Sequence, residues 1–160
     1  MFDLRALIAA FRRGPGPGTA FERGVVALDA GDHAAAEAGF SAALDETADS
    51  SACATIRNKL GVVRMALGRR DEAFGDFCLA LALDERCAPA LVNLGNLLLE
   101  DGHALDAIDY YEAAIRADEA YPAAYRHLGI ALRRLGRRAE AVRALRAADR
   151  YAGRLRRSRA

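Results

Sequence analysis

"LVNLGNLLLEDG", residues 91–102, sets Gly95 and the amides Asn93 and Asn96 inside a run of leucines and closes on a second glycine, Gly102. A glycine costs roughly 1 kcal/mol against alanine in a helix interior, so its presence there calls for a packing reason. The same pattern recurs along the chain. Gly24, Gly61, Gly95 and Gly129 follow one another at nearly constant spacing, the first interval being three longer than the other two, and each is followed seven positions later by Gly31, Gly68, Gly102 and Gly136. Twelve positions beyond the first glycine of each set stands an alanine (Ala36, Ala73, Ala107, Ala141), and four further on a large apolar residue (Phe40, Phe77, Tyr111, Leu145). A period of this length marks a stack of repeated supersecondary units.

Each unit reads as a helix, a tight turn at the second glycine, and another helix. The first glycine and the alanine are small residues, one per helix, that let two axes approach closely. The large residue four positions past the alanine shares its face and fills the space beside the contact. Glycine at the turn accepts positive φ, and Pro89 and Pro122 fall where first helices should begin. Composition agrees: Ala, Leu and Arg dominate, aromatics are 7% and tryptophan is absent. At 160 residues the chain suits one domain, and the fold class predicted is all-α.

In its period, its Leu-Gly or Arg-Gly pairs and its A-x3-F spacing the sequence resembles the tetratricopeptide repeat family. The resemblance covers about residues 20–152 and implies a right-handed α-solenoid of four helix-turn-helix units, at about 20–49, 54–87, 88–121 and 122–152. The family's early tryptophan is replaced by Ala20, Arg57, Leu91 and Tyr125, and its following tyrosine by Ala27, Arg64, Leu98 and Leu132. The surplus in the first interval falls in "DETADSSACAT", residues 45–55, and is expected to form a longer loop.

In that family the first helices line a concave groove, and a helical wheel selects the residues that would face it. With Val92 at 0° and about 100° per residue, Leu99 falls near −20°, Asn96 near 40°, Glu100 near 80° and Asn93 near 100°. Shifting by the repeat adds Phe21 and Val25 in unit one; Asn58, Lys59, Val62 and Met65 in unit two; and Arg126, Ile130 and Arg133 in unit four. Such a groove suits an extended peptide or a helix of another protein, because amides pair with a peptide backbone, apolar positions bury side chains and arginines receive carboxylates. The family's chaperone-type carboxylate clamp is not matched, since Val62, Ala123 and His127 stand where its residues are expected.

The two ends differ in character. Residues 1–13 include "FDLRALIAAFR", which places Leu4, Leu7, Ile8 and Phe11 on one helical face; residues 14–19, with "GPGPG", form a linker. That helix would cap the stack, dock on a partner so that the protein serves as a subunit or assembly factor of a larger complex, or, least favoured, lie on a membrane surface with only Arg5, Arg12 and Arg13 to meet lipid. Residues 122–160 carry twelve arginines against Glu140 and Asp149, whereas residues 1–121 are acidic. The basic end, with a tail at 153–160, would meet an acidic protein, or the acidic half of another copy in a homo-oligomer. Nucleic acid ranks last, because Tyr125 and Tyr151 alone could stack on bases.

Chemistry-bearing motifs are missing. His33, His103 and His127 are isolated, and Cys53, Cys78 and Cys87 form no zinc or redox spacing. No phosphate loop, metalloprotease helix or nucleophile elbow occurs. The sequence therefore predicts a noncatalytic interaction adaptor without cofactor or metal. Three unpaired cysteines and no long apolar run suggest the cytoplasm.

Overall fold

The computed structural model describes residues 19–158, which form eight helices. Among these residues there is no strand. They pair in sequence: α1 (Ala20–Asp29) with α2 (His33–Asp45), α3 (Ser50–Ala66) with α4 (Arg70–Leu83), α5 (Ala88–Glu100) with α6 (Ala104–Ala117), and α7 (Pro122–Arg134) with α8 (Arg138–Ser158). Each second helix also packs on the first helix of the next pair, and α5 touches both α3 and α7. The result is an all-α solenoid of four helical hairpins.

Local chemistry starts and stops these helices. Thr19 Oγ1 accepts from the Glu22 amide at 3.2 Å and Glu22 Oε2 accepts from the Thr19 amide at 2.8 Å, a reciprocal cap for α1. Asp32 and Asp49 cap α2 and α3 through the amides of Ala35 and Ala52. Each hairpin turns at a glycine in the left-handed region, with φ between 75° and 88° at Gly31, Gly68, Gly102 and Gly136. Those four residues are where a side chain would be strained.

The interior glycine has the packing reason the sequence demands. A Cβ on Gly95 would lie 2.6 Å from the Tyr111 ring, and one on Gly24 or Gly129 would strike Phe40 or Leu145 at 2.7 Å. Gly61 meets Phe77 in the same way. The large residue of the second helix thus lies directly over the glycine of the first.

Buried side chains gather between units rather than in one central mass. Phe40, Ile56, Leu60 and Val63 join units one and two. A larger cluster around Tyr111, Ile108, Val92, Leu99 and Leu132 joins units three and four. Between them, Phe77, Ala73, Leu94 and Leu97 form a smaller core, reinforced by Arg70, whose guanidinium donates to the Leu97 carbonyl at 2.9 Å and pairs with Asp101 at 2.7 Å.

Two boundaries depart from expectation. The loop before unit two spans residues 46–49, as short as those at 84–87 and 118–121, and the surplus lengthens α3 to 17 residues against 13 in α5 and α7. Asp49 causes this, because its carboxylate caps a helix that starts at Ser50 rather than at 54. At the other end the basic stretch is helix through Ser158, not a tail from 153.

Candidate functional site

Two pockets adjoin at the seam between units two and three. One, of about 180 Å³, is lined by Val62, Met65, Phe77, Asn93, Asn96 and Leu97 with Glu100. The other, of about 510 Å³, includes Thr55, Asn58, Lys59, Arg86 and Tyr121 and shares Val62 and Asn93 with the first. The shared residues make one trough. Of the residues expected in the groove, Asn58, Lys59, Val62, Met65, Asn93 and Asn96 come together here.

The others do not. Val92 and Leu99 are only 3% and 5% exposed and belong to the core between units three and four. Their assignment to the groove is corrected by the packing of α5 on α7, which buries the residues near 0° on α5, whereas Asn96, Glu100 and Asn93, at about 40° to 100°, line the trough. Ile130 packs against that same core, and Val25 against the core of units one and two. Phe21 tilts against Phe40 at 5.7 Å and lines a separate apolar pocket of about 400 Å³ beside Ile56. Arg126 and Arg133 are exposed on α7, outside both pockets of the trough. The residues expected in the groove therefore do not line one continuous surface. Leu4, Leu7, Ile8 and Phe11 lie outside the described residues.

The amides have structural partners the sequence did not disclose. Asn93 Nδ2 donates to Asn58 Oδ1 at 2.8 Å, tying α5 to α3. The Tyr111 hydroxyl, on a ring buried completely, donates to Asn96 Oδ1 at 2.8 Å. Burial raises the Tyr111 pKa well above the usual phenol range, so this bond keeps its proton. The fold itself therefore uses both amides. Each amide nevertheless keeps hydrogen-bonding capacity, because one bond uses only part of its donors and acceptors.

His127, the next unit's counterpart of Asn93, stacks on Tyr111 at 5.7 Å. Burial first, then the Arg126 charge, lowers its pKa, so it is neutral above the ordinary histidine range.

Charge in the trough is mixed and mostly committed. Glu100 pairs with Arg70, and Arg86 Nη2 donates to the Ala117 carbonyl at 3.2 Å. Asp84 and Asp118, one repeat apart, accept the loop amides of Arg86 and Ala120. Lys59 is different: half-buried in the pocket wall, it makes no hydrogen bond or ion pair among the described residues, and it is the only lysine in the chain. Sequence reasoning missed the loop residues Asp84, Arg86, Asp118 and Tyr121, although the recurrence of the aspartate at the repeat spacing was a usable signal. Cys87, also in the wall, has its thiol pKa raised chiefly by burial, which disfavours thiolate chemistry. Among the described residues no group of three or more His, Cys, Asp or Glu could hold a metal. Among the same residues no helix is long and apolar enough to cross a membrane.

Comparison with known proteins bears on fold and family. A family model described as tetratricopeptide repeat matches residues 4–51, 21–90 and 92–154. Among solved structures, the crystal structure of MamA is similar over 96% of this chain and 88% of its own, at 23% identity and TM-score 0.68. Pseudomonas aeruginosa pilF is similar over 82% of this chain and 59% of its own, at 24% identity and TM-score 0.72. YrrB, described as a TPR protein with an unusual peptide-binding site, is similar over 80% of this chain and 64% of its own, at 21% identity and TM-score 0.60. At these identities the structural likeness carries the fold alone. No curated protein matches the chain.

Proposed function

The chain belongs to the tetratricopeptide repeat family, whose repeats serve protein–protein interaction, and we propose that it is a noncatalytic adaptor holding an extended peptide of a partner protein in the trough between units two and three. The observation that carries this reading is Lys59, a cation without a partner among the described residues, in the wall of a pocket that also offers amide and apolar surface. The Asn58–Asn93 pair supplies a polar floor able to meet a peptide backbone, while Val62 and Met65 supply apolar contact. Lys59 favours a ligand with an acidic group at that point, because an ammonium is a compact charge with three donors. YrrB supports a peptide ligand by analogy of fold.

The test is selection of peptides by phage display on the immobilised chain, followed by titration against variants. Lys59→Ala is expected to weaken the selected peptides at least about tenfold, equivalent to about 1.4 kcal/mol, with the thermal midpoint unchanged. Arg133→Ala, away from the trough, should leave binding intact. Selected peptides indifferent to Lys59→Ala and Asn93→Ala would sink the proposal.

A further inference from the structure

In repeat register, the four first helices differ on the side that faces the preceding unit. Two residues past each interior glycine stand Val26, Val63, Leu97 and Ala131. Val63, Leu97 and Ala131 are buried, because each lies against the second helix of the unit before it: Val63 clusters with Ala36 and Phe40 of α2, Leu97 with Ala73 and Phe77 of α4, and Ala131 with Ala107 and Tyr111 of α6. Val26 is 68% exposed. Five residues before each glycine the contrast repeats, with Ile56, Ala90 and Ala124 buried and Thr19 exposed. Among the described residues, α1 thus lacks the preceding second helix that α3, α5 and α7 each have.

We propose that residues 2–13 of the same chain supply it, as the second helix of a half-unit laid on α1 over Val26. In the described second helices the inward positions follow the spacing i, i+3, i+4, i+7: Ala73, Asp76, Phe77 and Ala80 are buried in α4, and Ala107, Tyr111 and Ala114 are buried in α6 with Tyr110 half-buried. Leu4, Leu7, Ile8 and Phe11 repeat that spacing with four large apolar residues. The segment also stands where a second helix stands in the chain, just before a first helix. Residues 14–19 make the turn with six residues where 84–87 and 118–121 use four. Twelve residues of helix span about 18 Å, enough to cover α1, whose ten span about 15 Å. The tetratricopeptide match itself begins at residue 4, inside the segment. Arg23 stands where the later units have Leu60, Leu94 and Leu128, and its long apolar stem can lie along a covering helix while the charge reaches the rim. A stack of repeats needs such a cover at its terminal unit. Docked there, the N-terminal helix is withheld from partners and the trough is left open.

Hydrogen exchange of the full chain, read by mass spectrometry on residues 2–13, tests this. In dilute protein these amides are expected to exchange at least about tenfold more slowly than in Val26→Glu. Phe11→Asp should lower the thermal midpoint as Val26→Glu does, and the double variant should lower it no further, since both break one contact. Val142→Glu, at an exposed apolar residue of the last unit, should leave the exchange of residues 2–13 unchanged. Fast exchange of these amides in the wild-type chain overturns the proposal, as does a thermal midpoint that neither Val26→Glu nor Phe11→Asp moves. Slow exchange indifferent to Val26→Glu overturns it too. So does slow exchange that appears only as concentration rises, which would put the segment on a second copy.

Discussion

Units two and three share a backbone and a register, yet fill the same three positions in opposite ways. In unit three, Leu91, Leu98 and Tyr110 pack together as apolar side chains around the hairpin. In unit two the equivalents are Arg57, Arg64 and Asp76. Asp76, 2% exposed, accepts from Arg57 at 3.2 Å and from Arg64 at 2.7 Å. Arg64 also reaches Glu37 at 3.0 Å, and Arg69 joins Glu37 to Glu72, so the ionic cluster extends into unit one. The repeat thus specifies volume and complementarity at these sites rather than hydrophobicity. Ions satisfy it as long as every partner is present.

The largest expected effect breaks that condition on one side. Asp76→Ala leaves two partly buried guanidinium groups without their carboxylate and should cost about 3–5 kcal/mol in urea unfolding. Installing unit three's set instead, with Arg57→Leu, Arg64→Leu and Asp76→Tyr together, should recover most of that loss. A cost below about 1 kcal/mol for Asp76→Ala would show that the ionic cluster is no substitute for the apolar one.

Next in size is a pair of glycines. Gly95→Ala forces a methyl group into the Tyr111 ring, 2.6 Å away, and should destabilise by about 1–3 kcal/mol. Gly75→Ala, with open space around it, should stabilise by up to about 1 kcal/mol, the helix-propensity difference. Equal effects at the two sites would refute the packing reason given for the interior glycine.

Tyr111→Phe is expected to cost about 1 kcal/mol, because it removes the bond to Asn96 and leaves the ring in place. The matching measurement is the thermal midpoint of the variant beside that of Asn96→Ala, with the two effects not adding.

The smallest effect concerns pH. His127 has a lowered pKa in the fold, so the unfolded chain binds more protons between that value and about 6.5, and stability falls as pH drops through this window. Carboxylates contribute a slope of their own at lower pH. The comparison is therefore between wild type and His127→Asn: the difference between their thermal midpoints should be constant above about pH 7 and should move against wild type below about 6.5.

How much of this could be read in advance divides by physical range. The helical hairpins were legible from Gly24, Gly61, Gly95 and Gly129 and the positions twelve and sixteen further on, because helix geometry links those positions locally. The loop before unit two was misplaced because a capping aspartate at 49 outweighs the turn propensity of its neighbours. Asn93 and Asn96 line the trough as the sequence suggested, but their partners Asn58 and Tyr111 lie on other helices. Spacing alone does not tell an amide that faces a ligand from one that faces the fold.

The sequence by itself determined the repeat, its two classes of glycine and the all-α solenoid, all of which follow from periodicity and residue type. Tertiary structure alone decided that Val92 and Leu99 are core, that Asp76 bridges two arginines, that Lys59 is left without a partner among the described residues and that α4 exposes Phe74, Leu79 and Leu83. Those outcomes depend on which helix packs against each side of its neighbour. Stacking of one unit on the next sets that relation, and a wheel drawn for a lone helix does not contain it.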